Sequence, residues 1–126
     1  MARSYDPASV TENRAAARKI VEAFSTGDLS RVESLFALDY VDHQGLGGHE
    51  MIGPSGFSDV VRAARTGYVD LAVRIDDLIA EGDKVVARLH WRGVRPAGEI
   101  VERETIEILR FVAGRAVEHW GARAKG

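Results

Sequence analysis

Two side chains near the C-terminus are of the types that move protons, and the chain brings them near each other. Glu107 and His119 lie on either side of Val112-Ala113-Gly114-Arg115, a tight-turn sequence in which Gly114 takes positive φ at little steric cost. The flanking segments pair as a hairpin, and a modest stagger leaves the two residues within cross-strand or diagonal reach. A carboxylate beside an imidazole in a half-buried setting is an acid/base pair. Strand alternation leaves the direction of Glu107 open. Ile106 and Ile108 point to one face, and Thr105, Glu107, Leu109 and Phe111 to the other. If the isoleucines face the core, Glu107 stands in solvent. If Glu107 points inward, it is a carboxylate among apolar side chains and suits proton transfer. Val117, His119 and Gly121 are expected to share one face, opposite Glu118 and Trp120.

Other polar side chains raise the same question of direction. His43 ends the segment Tyr40-Val41-Asp42-His43, next to a glycine-rich stretch. At a pocket wall it could act as a base or a hydrogen-bond donor; otherwise it is a surface histidine. Arg88, His90 and Arg92 alternate with Val85, Ala87, Leu89 and Trp91. Facing a pocket, that ladder would bind an anionic or enolate oxygen. Facing out, it is the wet side of a sheet. His90 and Trp91 cannot both face the pocket. Asp42, Arg88 and Asp76 are loose candidates for an Asp–Arg–Asp site that activates water, although their faces do not obviously agree.

Several chemistries lack their motif. His43, His49, His90 and His119 have neither H-E-x-x-H nor H-x-H spacing, and there is no cysteine. No G-x-S-x-G, phosphate loop or dinucleotide fingerprint occurs. The expectation is no metal and no organic cofactor. Lys and Arg number 17 against 19 Asp and Glu, a formal net charge of -2, so no basic field invites nucleic acid. No apolar run approaches membrane-spanning length, and the first residues lack a secretory signal, so the expected location is cytoplasmic.

The elements that must position these residues follow in order. Residues 1–6 read as a loose tail. Ser9 and Glu12 stand at capping-box spacing before the stripe Ala17, Ile20, Val21 and Phe24, and Gly27 ends this helix. A second, shorter helix, capped by Asp28 or Ser30, buries Val32, Leu35 and Phe36. Tyr40 to His43 is a short strand, and Gln44 to Gly53 reads as a loop. A third helix opens at Pro54 or Ser55, carries Phe57, Val60, Val61 and Ala64, and stops at Gly67. From Asp70 the period changes to that of strands. Asp76-Asp77 interrupts the alternation as a bulge would, and Glu81-Gly82-Asp83-Lys84 is a hairpin turn. Helices followed by antiparallel strands give the α+β class, with a pocket between the layers.

Four pieces of the chain resemble the SnoaL-like polyketide cyclase family of the NTF2-like superfamily. They are Phe24-Ser-Thr-Gly-Asp-Leu, Asp39-Tyr-Val-Asp-His43, Asp77-Leu-Ile-Ala-Glu-Gly-Asp-Lys-Val-Val86, and Ile108-Leu-Arg-Phe-Val-Ala-Gly-Arg-Ala-Val-Glu-His-Trp120. The resemblance covers nearly the whole chain. It implies one domain over residues 1–126: a cone-shaped fold with a curved antiparallel sheet packed against three N-terminal helices around an internal pocket. It implies a small-molecule substrate and a homodimer in secondary metabolism. It also places His43 at the pocket wall and favours an inward His119. Family cyclases carry an aspartate shortly after Glu-His-Trp as the general acid/base of an aldol closure. Here Trp120 precedes Gly121-Ala-Arg-Ala-Lys-Gly126, which contains no carboxylate, and Gly93-Val-Arg-Pro stands where many relatives have Gly-Thr-His.

The expected activity is therefore cofactor-free acid/base chemistry of the cyclase or isomerase type on a polyketide-like or cyclic carbonyl compound. Glu107 would replace the missing aspartate, with His43 and His119 as partners. Phe24, Tyr40, Phe57, Arg88, His90 and Trp91 are the expected substrate-binding residues. A non-catalytic ligand-binding or accessory domain is the alternative, followed by an epoxide hydrolase-like or cofactor-free hydroxylase-like relative.

Overall fold

The stripe of Ala17, Ile20, Val21 and Phe24 can be buried only if the first helix lies against a sheet, and the rest of the chain supplies that sheet. The computed structural model of the protein describes residues 7–125. The elements are α1 (Pro7–Thr26), α2 (Val32–Leu35), β1 (Phe36–Leu46), β2 (His49–Ile52), α3 (Gly53–Arg65), β3 (Asp70–Glu81), β4 (Lys84–Val94), β5 (Ile100–Val112) and β6 (Arg115–Arg123). The expectation for residues 1–6 lies outside the described residues. Helix α1 begins at Pro7, so Ser9 sits within its first turn and is not its cap. Gly27, at φ 74°, ends it, and its N–H donates to the carbonyl of Ala23 at 2.8 Å. Asp28 accepts the amide of Ser30 in the connecting turn, and Arg31 occupies the N-cap of α2 without a side-chain bond.

The six strands form one sheet in the order β2-β1-β6-β5-β4-β3. Every neighbouring pair is antiparallel except β1 with β6, which is parallel. The stretch from Gln44 to Gly53 is largely a hairpin and not the expected loop. Gly47 and Gly48, at φ 58° and 81°, make a two-residue turn that returns β1 into β2. Two consecutive residues at positive φ are what such a turn needs, so the glycines serve pairing here.

Among the register shifts of the sheet, those in β3 and β6 bear on which residues face inward. Register passes from Ile75 opposite Leu89 to Asp77 opposite Arg88, leaving Asp76 as the extra residue that its place in the sequence suggested. In β6, Ala116 pairs with Phe111 but Glu118 pairs with Arg110, so Val117 is extra. Ala116 is fully buried, while Val117 and Glu118 both line a groove on the outer face. This corrects the expected shared face of Val117 and His119. Without the extra residue, unbroken alternation from Ala116 would turn Glu118 and Trp120 inward and His119 outward.

The core lies between the inner sheet face and helices α1 and α3. Val85 and Leu89 of β4 and Leu109 and Phe111 of β5 are nearly inaccessible, as are Ala17, Phe57 and Val61 on the helices. Among the described residues no helix is long and apolar enough to cross a membrane. Phe36 joins the layers. Its ring stacks on Phe57 with centroids 4.2 Å apart and meets Tyr40 edge-on at 4.6 Å. Deleting a buried ring leaves a cavity that such a core closes only in part. Phe36→Ala is expected to destabilise the fold by about 3–5 kcal/mol in urea unfolding; a loss below about 1 kcal/mol would contradict this packing.

Candidate active site

Three strands converge on one imidazole. β1 turns Tyr40 and Asp42 inward, β5 turns Thr105 and Glu107 inward, and the bulge in β6 does the same for His119. Asp42 is the register partner of His119 across the β1–β6 pair. Glu107 reaches it diagonally, since its direct partner on β6 is Gly121. His119 Nδ1–H donates to Asp42 Oδ1 at 2.7 Å and Nε2–H to Glu107 Oε1 at 2.6 Å. The amides of Gln44 and Gly45 donate to the same Asp42 oxygen, each at 3.0 Å. Gly121 makes the diagonal contact possible. A Cβ there would lie 2.5 Å from Glu107 Oε1 and would also clash with Gln44 Oε1.

The electrostatics follow from this geometry. Burial by itself would lower the His119 pKa, but the hydrogen bonds to Asp42 and Glu107, reinforced by both charges, push it up to about 9. The ring is therefore an imidazolium at neutral pH. Burial would raise the Asp42 carboxyl, but the bond and charge of His119 and the amides of Gly45 and Gln44 hold it below its ordinary value. Tyr40 is only 1% exposed. Burial, then the charges of Asp42 and Glu107, raise its phenol well above the usual value, so it stays protonated and available as a donor.

These groups line one wall of a cavity of about 390 Å³ between the sheet and helices α1 and α3. The other walls are apolar: Ile20 and Phe24 from α1, Phe57 from α3, and Leu89, Trp91 and Leu109 from the sheet. Trp91 is fixed in place. Its Nε1–H donates to Thr105 Oγ1 at 2.8 Å, and Phe24 meets its ring edge-on at 5.1 Å. Among the described residues no three His, Asp or Glu side chains are grouped to hold a metal ion. Asp42 and Glu107 face each other across the ring of His119, bonded to its two nitrogens.

Of the residues named from sequence, Glu107, His119, Phe24, Tyr40, Phe57 and Trp91 line this cavity. His43, Arg88 and His90 do not, and their expected place in the pocket is corrected. His43 follows the inward Asp42, so strand parity sends it outward. There it sits between Glu50 at 2.6 Å and Glu118 at 2.8 Å, stacked on Trp120 with centroids 5.2 Å apart. The inward Trp91 decides the face of β4 in the same way. Arg88 lies outside against Asp77 at 2.7 Å and Asp76 at 3.6 Å, and His90 outside against Glu102 at 3.3 Å. The Asp42, Arg88 and Asp76 trio is thereby divided between the two faces of the sheet. Sequence reasoning missed Asp42 as the partner of His119, and it missed Gln44, Thr105, Arg103 and Arg123, which also line the cavity. Parity was the available signal for Thr105 and Arg103, because both share it with Glu107.

Residues 14–124 match the family model described as SnoaL-like polyketide cyclase. No curated protein matches the sequence. Among solved structures, the chain is similar to a candidate polyketide cyclase from Bacillus cereus ATCC 10987, with 26% identity, 90% of this chain and 74% of that one covered, and a TM-score of 0.80. It is similar to IdmH, a candidate polyketide cyclase from Streptomyces antibioticus, with 25% identity, coverage of 88% and 91%, and a TM-score of 0.76. It shares its fold with AclR, a candidate hydroxylase from Streptomyces galilaeus, with 24% identity, coverage of 90% and 79%, and a TM-score of 0.75.

The raised pKa of His119 has a consequence for stability. Folded, the ring keeps its proton to about pH 9; unfolded, only to about 6.5. Its contribution is complete below the unfolded value and fades as pH rises through the folded one. Asp42 works the other way: its contribution is present above its ordinary pKa and lost as pH falls through the lowered folded value. Urea unfolding between pH 6.5 and 9.5 is expected to lose on the order of 3 kcal/mol from His119. The outer His43, raised by Glu118 and Glu50, adds in the same direction, so the measure is the difference from His119→Asn. A His119→Asn protein with the full wild-type slope would contradict the assignment.

Proposed function

The chain belongs to the SnoaL-like polyketide cyclase family, and from that premise we propose that it is a cofactor-free enzyme of the cyclase or isomerase type, moving protons on a polyketide-like or cyclic carbonyl compound. The observation that carries this reading is an imidazolium clamped between two carboxyl groups on the wall of an otherwise apolar cavity. Groups tuned in this way are what acid/base catalysis needs.

Glu107 takes the role of the absent carboxylate after Trp120. It accepts a proton from a carbon next to the substrate carbonyl. The resulting enolate either attacks a second carbonyl carbon, forming a C–C bond and an alkoxide that is then protonated, or takes its proton back at another carbon. Both outcomes are redox-neutral and need no co-reactant. His119 orients Glu107, and Asp42 holds the ring in turn. Tyr40, kept protonated, can donate to the oxygen on which charge develops. The aromatic walls keep bulk water from the enolate.

Ile79, Val86, Ile108 and Trp120 are cross-strand neighbours in one row over the outer faces of β3, β4, β5 and β6. A second copy of the chain covers that row in the homodimer we infer; sedimentation as a clean monomer at micromolar concentration would count against it. The reading also carries a cytoplasmic location.

The catalytic test uses 2-acetylnaphthalene, whose methyl protons exchange with D2O only slowly when free. The protein is expected to bind it and accelerate that exchange. Glu107→Gln should lower the rate by about a hundredfold or more while leaving affinity within about threefold, the scale for losing a general base. Full exchange activity in Glu107→Gln would refute the role of Glu107. Binding without acceleration by the wild type would favour the non-catalytic ligand-binding reading.

A further inference from the structure

The acid/base wall uses Asp42, His119, Glu107 and Tyr40, and it leaves two cations of the same cavity unexplained. Arg103 and Arg123 both line it, and among the described residues no carboxylate pairs with either guanidinium. Arg74, Arg88 and Arg110, on the outer face of the same sheet, hold Asp76, Asp77 and Glu118 at 2.7, 2.7 and 2.6 Å. The contrast matters because a fixed guanidinium in a concave site is a ready receptor for a planar anion.

Arg103 is fixed. Its guanidinium lies over the Trp91 ring, 4.7 Å from the centroid, and that indole is anchored on Thr105. Arg123 is the register partner of Thr105 across the β5–β6 pair, so the two arginines are diagonal neighbours on the inner face. The Thr105 oxygen accepts from Trp91, which leaves its own hydroxyl proton to donate. Along β5 the inner face therefore reads Arg103, Thr105, Glu107: a cation, a neutral donor and the acid/base group. At about 3.3 Å per residue, Arg103 stands roughly 13 Å from Glu107 along the strand. The cavity thus has ends of opposite character, with carboxyl groups deep inside and guanidinium groups where the side chains become exposed.

We propose that Arg103 and Arg123 form an anion subsite at the open end of the cavity, and that the natural ligand is a flat, mostly apolar carbonyl compound with a carboxylate at its far end. A carboxylate cannot sit deep in the cavity, because Asp42 and Glu107 would repel it. Bound at the arginines, it directs the opposite end of the molecule toward Glu107. The carboxylate preference stands on the arginines alone; the claim that the opposite end reacts rests on the acid/base reading of Glu107.

The probes are 6-acetyl-2-naphthoic acid and its primary amide, which match in shape and differ in charge. Binding is measured by fluorescence titration to wild type, Arg103→Gln, Arg123→Gln, the double variant and Glu107→Gln. Wild type is expected to prefer the acid by about tenfold to a hundredfold, the scale of charge-assisted hydrogen bonds. Each single variant should reduce the preference and the double variant abolish it, with amide affinity unchanged within about threefold, which shows an intact cavity. Glu107→Gln should keep the preference while losing acetyl deuterium exchange, so a failed subsite and a failed acid/base assignment give different results. No preference in wild type, no binding of either probe, or a preference that survives in the double variant overturns the proposal.

Discussion

A charged imidazole held between two carboxyl groups, largely out of water, is the arrangement on which the rest of this site depends. Burying ions is costly unless each is paired and its remaining hydrogen-bonding capacity is met. His119 meets that condition through both ring nitrogens, and Asp42 through two further backbone amides. The condition constrains the surroundings. An extra residue at Val117 turns His119 inward, and a glycine at 121 lets Glu107 cross the strand to reach it. The two amides on Asp42 come from its own strand, Gln44 and Gly45 of β1, just before the hairpin turn at Gly47 and Gly48. The Val117 bulge and Gly121 thus bear directly on the ion cluster, while Gly47 and Gly48 supply the positive φ that the hairpin turn needs.

The sheet separates two kinds of charge. On the outer face, Arg88 shares Asp76, Asp77 and Glu104, and His43 shares Glu50 and Glu118, all within reach of solvent. Such pairs contribute little to stability and are screened by salt. On the inner face, the few charged groups stand in an apolar cavity, where the same interactions are stronger and fix protonation states. A histidine bracketed by two carboxylates occurs on both faces. The buried copy, His119, lines the apolar cavity between sheet and helices, whereas His43 lies on the outer face, and the proposed chemistry is placed at His119 on that difference.

The fold was readable because its punctuation is local. Gly27, Gly67, Gly82 and Gly114 mark ends and turns, and the change from helical to alternating periodicity at Asp70 is plain. The Glu107 and His119 pair followed from one hairpin turn. What failed was parity, which a single strand cannot supply. Arg88 and His90 alternate with Leu89 and Trp91, and only packing against α1 decides which set is inside. His43 was misplaced for the same reason, one residue beyond the inward Asp42. Asp42 itself depends on a parallel pairing between the first and last strands, a contact across most of the chain. The Val117 bulge leaves no mark in the sequence, yet it decides the direction of every residue after it.

The proposed chemistry depends on the protonation of one ring. In protein labelled with 15N at histidine, the Nδ1 and Nε2 shifts of His119 report directly whether each nitrogen carries a proton. At pH 7.5 both are expected at imidazolium positions, with Asp42→Asn or Glu107→Gln returning the titration toward the ordinary histidine range near 6.5. A wild-type His119 that is a neutral imidazole at pH 7.5, with one bare nitrogen, would contradict the clamp and the proton-transfer chemistry built on it.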